Sequence, residues 1–184
     1  MGIIINTDSI YKDNNIIMHN DVALYETSVA DIVAQNGGNI LEIGFGLGIS
    51  ATQIQTHSPS KHVIIEIEKE IYDKAVEWAE GKSNVEVIHG DWKDVIGSLS
   101  DKFDGVYNDA DSDDINKLHS FSYDIKDLCN NNCILIQTSW GIDNDISRNK
   151  TNYAVLTLDD NCKKWYQDDT IDIIYVTLKD NDWI

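Results

Sequence analysis

From residue 39 onward the chain repeats one pattern: a short apolar run, a turn, then a segment with apolar residues at helical spacing. Residues 40–43 (Ile-Leu-Glu-Ile) predict a buried parallel strand, and residues 49–56, after three glycines, predict a helix. Strand 62–68 is followed by helix 69–80, with Ile71, Ala75, Trp78 and Ala79 on one side and Gly81 at its end. Strand 84–88 and helix 91–99 come next, then strand 103–108 and helix 113–128, then strand 133–137. Strands alternating with helices predict a parallel sheet with helices on both faces. Ahead of this series, Asp21 is placed to cap a helix reaching about Gln35. Tyr25, Val29, Ile32 and Val33 form its apolar stripe, and Asn36-Gly37-Gly38 stop it. Residues 3–5 read as a short strand or an ordered arm, bounded by turn signals at 6–8 and 13–15. After Gly141 the pattern weakens. Residues 153–158 and 171–178 alternate as strands around a short helix at 162–166, and their order in the sheet stays open. One domain is expected over residues 1–184, with 1–17 as an N-terminal arm.

The glycines after the first strand carry the first chemical signal. Gly44, Gly46 and Gly48 accept positive φ and let backbone approach a ligand, and the helix start behind them carries unpaired N–H groups. The spacing is not the dinucleotide G-x-G-x-x-G, and an acid, Glu42, precedes the first glycine by two residues. Acid-x-Gly-x-Gly-x-Gly resembles motif I of class I S-adenosylmethionine (SAM) methyltransferases. That resemblance implies a loop behind the methionine part of SAM, with Glu42 orienting the loop and the ligand's ammonium. A glycine-rich turn with no ligand is the rival reading.

Composition narrows the partners. Lys and Arg total 14 against 32 Asp and Glu, a net charge of −18. Such a balance opposes binding to a nucleic-acid backbone and suits a small or cationic partner, although an acidic surface alone explains it equally well. Cys129, Cys133 and Cys162 form no CxxC pair and read as free thiols of a reducing cytoplasm. His19, His57, His62, His89 and His119 are scattered, so no metal site is expected. No membrane-length apolar segment, signal peptide or myristoylation signal is read, so a cytoplasmic protein without membrane contact is expected.

Each strand ends in residues able to meet a ligand. Glu66 closes the second strand at the distance where an acid takes a ribose diol, with Glu68 as its alternate. Asp91 can accept from an adenine amino group or cap a helix, and both roles can hold together. Trp92 lies against the ring or belongs to the core. Asn108-Asp109-Ala110-Asp111 closes the fourth strand, where Asp109 leads as the group that orients a nucleophile and takes its proton. Asp111, Asp113 and Asp114 read as helix-start acids. Thr138-Ser139-Trp140-Gly141 closes the fifth strand and offers hydroxyls to a substrate, or a plain turn.

Taken in order, these residues resemble guanidinoacetate N-methyltransferase and its relatives. The likeness runs from about Met18 to Gly141. It includes Gly37-Gly38-Asn39-Ile40-Leu41-Glu42-Ile43-Gly44-Phe45-Gly46, Ile64-Ile65-Glu66, Gly90-Asp91-Trp92, Phe103-Asp104-Gly105, Asp109 and Thr138-Ser139-Trp140-Gly141. The resemblance implies a Rossmann-like class I methyltransferase fold, an α/β protein whose mostly parallel sheet has seven (or six) strands, the last of them an antiparallel edge. It implies SAM, and S-adenosylhomocysteine as product, at Gly44 to Gly48 with Phe45 in the loop. Glu66 would lie at the ribose, Asp91 and Trp92 near adenine, and Ile67, Asn108 and Met18 beside the cofactor. Asp109 would hold the guanidine, with Thr138 and Ser139 near the substrate's acid end. The family's Trp-Glu-x-Pro stretch, whose Glu is a second carboxylate on the guanidine, has no match here. Without gaps that Glu falls on Val22, with Asp21 and Glu26 nearby as substitutes.

The expected reaction is in-line transfer of a methyl group to a guanidino or amine nitrogen. The expected partner is a small-molecule or peptide acceptor, and the oligomeric state, a homodimer included, stays open. The rivals are another acceptor, aminopropyl transfer from decarboxylated SAM, and a non-catalytic SAM-binding module.

Overall fold

The computed structural model describes residues 2–110, 121, 123–137, 151–157, 159–166 and 169–177. The N-terminal arm is itself a sheet. Strands β1 (Ile3–Ile5), β2 (Ser9–Lys12) and β3 (Asn15–His19) pair antiparallel in the order β1-β2-β3. Asp13 and Asn14 make the β2–β3 turn with φ of 52° and 66°. Both are residue types that tolerate left-handed backbone, and two positive φ values match the twist of a two-residue hairpin.

A 3-10 turn, Asn20–Val22, leads into helix α1 (Ala23–Ala34). Asp21 does not cap this helix. Val22 holds the cap position without a side-chain bond, and the Nδ1 of His19 accepts from the Asp21 N–H at 3.1 Å to close the 3-10 turn. A nitrogen that receives an N–H carries no proton, so its 3.3 Å approach to Asp21 Oδ2 is not an ion pair. Along α1, Tyr25, Val29 and Val33 are buried and Ile32 is partly so; positive φ at Gly37 and Gly38 then turns the chain.

The remaining elements are β4 (Asn39–Ile43), α2 (Ile49–Thr56), β5 (Lys61–Glu66), α3 (Lys69–Ala79), β6 (Val85–His89), α4 (Trp92–Val95), β7 (Phe103–Asn108), β8 (Cys129–Gln137), β9 (Thr151–Thr157), α5 (Asp160–Tyr166) and β10 (Thr170–Thr177). The main sheet has seven strands in the order β6-β5-β4-β7-β8-β10-β9. Strands β4 to β8 pair parallel, and β10 pairs antiparallel with both β8 and β9. The antiparallel edge is therefore present, with β10 inside and β9 outside. This is the Rossmann-like fold of class I methyltransferases.

Other elements differ from expectation as well. The second strand ends at Glu66, so Ile67 and Glu68 belong to the turn that follows. The helix after Asp91 is one turn of α-helix continued by a 3-10 turn, Ile96–Ser98. The fifth strand starts at Cys129, because a bulge carries the polar Asn130 to Asn132. Pairing steps from Phe103↔Cys129 to Gly105↔Ile134, and Asn132 takes φ 68°. Most of the helix expected over 113–128 lies outside the described residues; Phe121 and residues 123–125 are helical and close in a 3-10 turn at Lys126–Leu128.

Alternation along the strands divides the core. Leu41, Ile43, Val63, Ile65, Val106 and Leu135 meet Trp92, Phe121 and Ile125 on one face. Ile40, Tyr107, Ile134 and Ile136 meet α1 and Ile54 on the other, and Ile64 there meets Ile71 and Ala75 of α3. Helix α1 lies so close to β7 that a Cβ on Gly105 would be 2.3 Å from the Val33 carbonyl oxygen. Among the described residues no helix is long and apolar enough to cross a membrane.

Candidate functional site

Strand order reverses between β4 and β7, and a cavity of about 550 Å³ opens beyond the carboxyl ends of the central strands. That is where open α/β sheets take their ligands, in the ordinary size range of small-molecule sites. Gly44, Gly46, Glu66, Asp91, Trp92 and Asp109 all line it.

The glycine loop has the geometry its residues require. Gly44 and Gly46 have φ of 90° and 53°. A Cβ on Gly46 would lie 2.7 Å from the Met18 sulfur, and one on Gly44 would lie 3.5 Å from the backbone carbonyl of Asp109. The loop is thus pressed between β3 on one side and the Asp109 segment on the other. Phe45 is buried, with its ring 5.5 Å from Trp78, and the same ring fills the space a Cβ on Gly48 would need.

Glu66 holds the loop directly. Its Oε2 accepts from the Phe45 N–H at 2.9 Å, and its Oε1 accepts from the Glu68 N–H at 2.8 Å. Burial pushes its carboxyl above the usual range, and these backbone donors oppose the push. Each oxygen retains capacity for a second hydrogen bond from a ligand. Asp91 caps α4 by accepting from the Lys93 N–H at 3.0 Å and lines the cavity as well. Trp92 is chiefly a core residue, 5% exposed and edge-on to Phe121 at 5.0 Å, with part of its surface on the cavity. Ile67, with Ile16 and Ile17, forms an apolar wall at the mouth and is 56% exposed there.

Asp109 follows β7 and is tied to β4 through its N–H, which donates to the Ile43 carbonyl at 2.9 Å. Asn108 lies behind it, fully buried, and its Oδ1 accepts from the Ala110 N–H at 3.1 Å. Asn108 therefore shapes the turn that presents Asp109 and is not itself part of the cavity lining. Asp21 is also outside the lining; its carbonyl accepts from the Cys162 thiol of α5. Thr138 and Ser139 lie outside the described residues.

Two carboxylates occupy the buried side of the loop. Glu42 has no exposed surface. It accepts from the Ser50 hydroxyl in the first turn of α2 and from His62 Nε2 at 2.9 Å. His62 Nδ1 in turn faces the Gln55 amide nitrogen at 3.1 Å, which fixes the proton on Nε2. Glu42 thus anchors the helix behind the loop through hydrogen bonds, away from the cavity. Glu26, 4% exposed, accepts from the Tyr107 hydroxyl at 3.1 Å. Burial first, then the charges of Asp109 and Glu42, hold its carboxyl well above the usual range, while the Tyr107 and Ser50 hydroxyls oppose them.

The sequence reading missed His62 and Tyr107, because their partners come from other elements. It also missed the placement of the N-terminal sheet. Ile10, Lys12, Ile16, Ile17 and Met18 wall the cavity, and Lys12 pairs with Glu68 across its rim.

Known proteins resemble this chain in sequence and in fold. Over 94 residues the chain is 40% identical to protein arginine N-methyltransferase 2 of Saccharomyces cerevisiae, a match covering 48% of this chain and 23% of that protein. The chain thus spans about a quarter of the length of that relative. An O-methyltransferase, TomG from Streptomyces achromogenes, superposes with a TM-score of 0.63 at 15% identity, over 84% of this chain and 79% of its own. Spermidine synthase from Thermotoga maritima superposes with a TM-score of 0.63 at 15% identity, over 92% and 65%. These two likenesses concern the fold. Residues 13–152 match the guanidinoacetate N-methyltransferase family model, most of the chain including β3, the glycine loop and Asp109, and the chain belongs to that family.

Proposed function

We propose that the chain transfers the methyl group of SAM to a nitrogen of a guanidino or amine compound, free or within a peptide. The observation that carries this reading is the shared wall of the cavity: the Asp109 backbone lies against Gly44, so the acid borders the glycine loop. Family membership and the arginine N-methyltransferase relative support a guanidino nitrogen as acceptor.

SAM supplies a methyl group already activated on a sulfonium. The protein's work is then alignment, and well-oriented reactants gain roughly 7–11 kcal/mol. In this reading the Gly44–Gly48 backbone with Phe45 and Met18 holds the donor's amino-acid end. Glu66 accepts from the ribose hydroxyls. Asp91, Trp92 and Ile67 enclose the adenine. A guanidinium has no available lone pair, so Asp109 localises its charge on one nitrogen and accepts the proton as the new bond forms. Asp109→Asn is expected to bind SAM nearly normally and to lose turnover by about 10²-fold or more. Unchanged turnover would remove Asp109 from the mechanism. Labelled SAM offered with guanidino compounds, arginine peptides, amines and carboxylates identifies the acceptor class. A polyamine product from decarboxylated SAM would replace the reading altogether.

A further inference from the structure

His89 ends β6 and takes no part in that mechanism, yet a single peptide group separates it from the acid assigned to the ribose. Glu66 and His89 form the last pair of the parallel β5–β6 ladder, and the Gly90 N–H donates to the Glu66 carbonyl at 3.0 Å. One residue further on, the side chain of His89 reaches across the turn. Its Nε2 lies 3.1 Å from the Ile67 carbonyl oxygen. A carbonyl only accepts, so this nitrogen carries the proton. Tyr72 of α3 lies against the imidazole, with ring centroids 5.0 Å apart, and its own N–H donates to the Glu68 carbonyl at 2.8 Å.

The Ile67 carbonyl and the Glu68 N–H belong to one planar peptide unit. That N–H donates to Glu66 Oε1 at 2.8 Å. Imidazole, peptide and carboxylate are thus joined by two hydrogen bonds in line, and turning the peptide breaks both together. A donor on the carbonyl also polarises the amide and strengthens the bond its N–H makes. The other oxygen, Oε2, is fixed separately by the Phe45 N–H at 2.9 Å. Two amides therefore set the plane of this carboxylate, and His89 governs one of them. Lys12 grips the side chain of Glu68, not the peptide that precedes it.

We propose that His89 is a positioning residue for the donor: acting through the Ile67–Glu68 peptide, it fixes the Glu66 carboxylate in the plane that takes the ribose hydroxyls. The inference rests on the reading of Glu66 given above. Without the imidazole donor the peptide is able to turn, Oε1 loses its amide, and the carboxylate swings about the bond that remains to Phe45. Such a turn changes only ψ of Ile67 and φ of Glu68, so the Ile67 side chain keeps its place on the cavity wall. The loss then falls on ligands that carry the ribose diol.

The test measures binding to the whole chain by calorimetry, with S-adenosylhomocysteine and with its analogue lacking both ribose hydroxyls. His89→Leu removes the donor, and His89→Gln keeps an N–H at similar reach. The leucine variant should bind S-adenosylhomocysteine about three- to tenfold more weakly, the range of a single hydrogen bond, and bind the analogue as wild type does. The glutamine variant should recover the lost affinity. Equal weakening toward both ligands means a merely structural role and overturns the proposal, as does unchanged binding in the leucine variant; in both cases wild-type preference for the diol leaves the Glu66 reading standing. Wild type that binds the two ligands equally removes Glu66 from the ribose and this proposal with it. In wild type alone, nitrogen-15 spectra of the imidazole should show the proton of His89 on Nε2, and a neutral ring protonated on Nδ1 overturns the proposal whether or not the variants fold.

Discussion

Replacing Glu26 by glutamine isolates the cost of burying that carboxyl. The two side chains have nearly the same shape, and glutamine can still accept from the Tyr107 hydroxyl. What changes is the proton. Glu26 has an ordinary value of 4.5 and is pushed well above it in the native state by burial and by Asp109. Between those two values the native chain keeps a proton that the unfolded chain has lost. Stability must then fall as pH rises, at about 1.36 kcal/mol per pH unit. A chain of this size moves its Tm by roughly 2–4 °C per kcal/mol, so the slope is about 3–5 °C per unit. Glu26→Gln has nothing to lose across that range. Subtracting the wild-type Tm from the variant's at each pH should give a difference that is flat below about pH 4.5, then climbs with that slope, then levels at the native value. The raised carboxyl of Glu66 is common to both proteins and drops out of the difference. Melting curves by circular dichroism, in buffers from about pH 4 to 9, provide the data. Parallel wild-type and variant curves would mean that Glu26 titrates normally and that the environment described for it is wrong.

Other substitutions address the supports of the site. Gly105→Ala puts a Cβ against the Val33 carbonyl, a backbone atom that cannot step aside, and urea denaturation should show a loss of about 1–3 kcal/mol. His62→Phe removes the Nε2–H donor from fully buried Glu42, which should cost about 3–5 kcal/mol; unchanged stability would show that the Glu42–His62 bond does not form. Gly46→Ala combines a left-handed backbone worth about 1–2 kcal/mol with displacement of the Met18 sulfur, and S-adenosylhomocysteine affinity measured by calorimetry should drop by roughly tenfold. Restoring room with Met18→Ala in the same chain should recover only part of that loss, since the backbone strain remains.

The fold was legible where one physical rule governs each position. Buried parallel strands show as apolar runs, so residues 40–43 and 103–108 read correctly, and three glycines in alternation read as a loop of positive φ. Asp91 was legible as a helix cap, and it lines the cavity as well. Helix starts were less secure. His19 and Asp21 can each accept from a nearby N–H, and only the 3-10 geometry decides for His19. The bulge at Asn130 to Asn132 hid the start of β8, since three asparagines favour a turn and β propensity is weak against pairing context. Contacts made between elements left no trace at all. Whether His62 meets Glu42 depends on the β4–β5 register, in which Ile40 faces His62 and places Glu42 one step along the same face. The docking of the N-terminal sheet over the cavity likewise depends on Ile10 packing in one cluster with Phe45, Ile64 and Ile71, residues more than thirty positions away in sequence.

Three glutamates around one glycine loop, each 5% exposed or less, illustrate how identical side chains acquire different work. Glu66 meets backbone N–H groups, which favour its charged form and leave its oxygens able to accept more. Glu42 meets a hydroxyl and an imidazole N–H, so its bonds are used up in fixing α2, and it has no surface left for a ligand. Glu26 meets a phenol, and burial together with the charges of Asp109 and Glu42 disfavours its charged form. Surroundings decide among them: amides leave a carboxylate with oxygens able to accept more, a saturated pair of donors makes a brace, and burial beside other acids makes a carboxyl that holds its proton more tightly than usual.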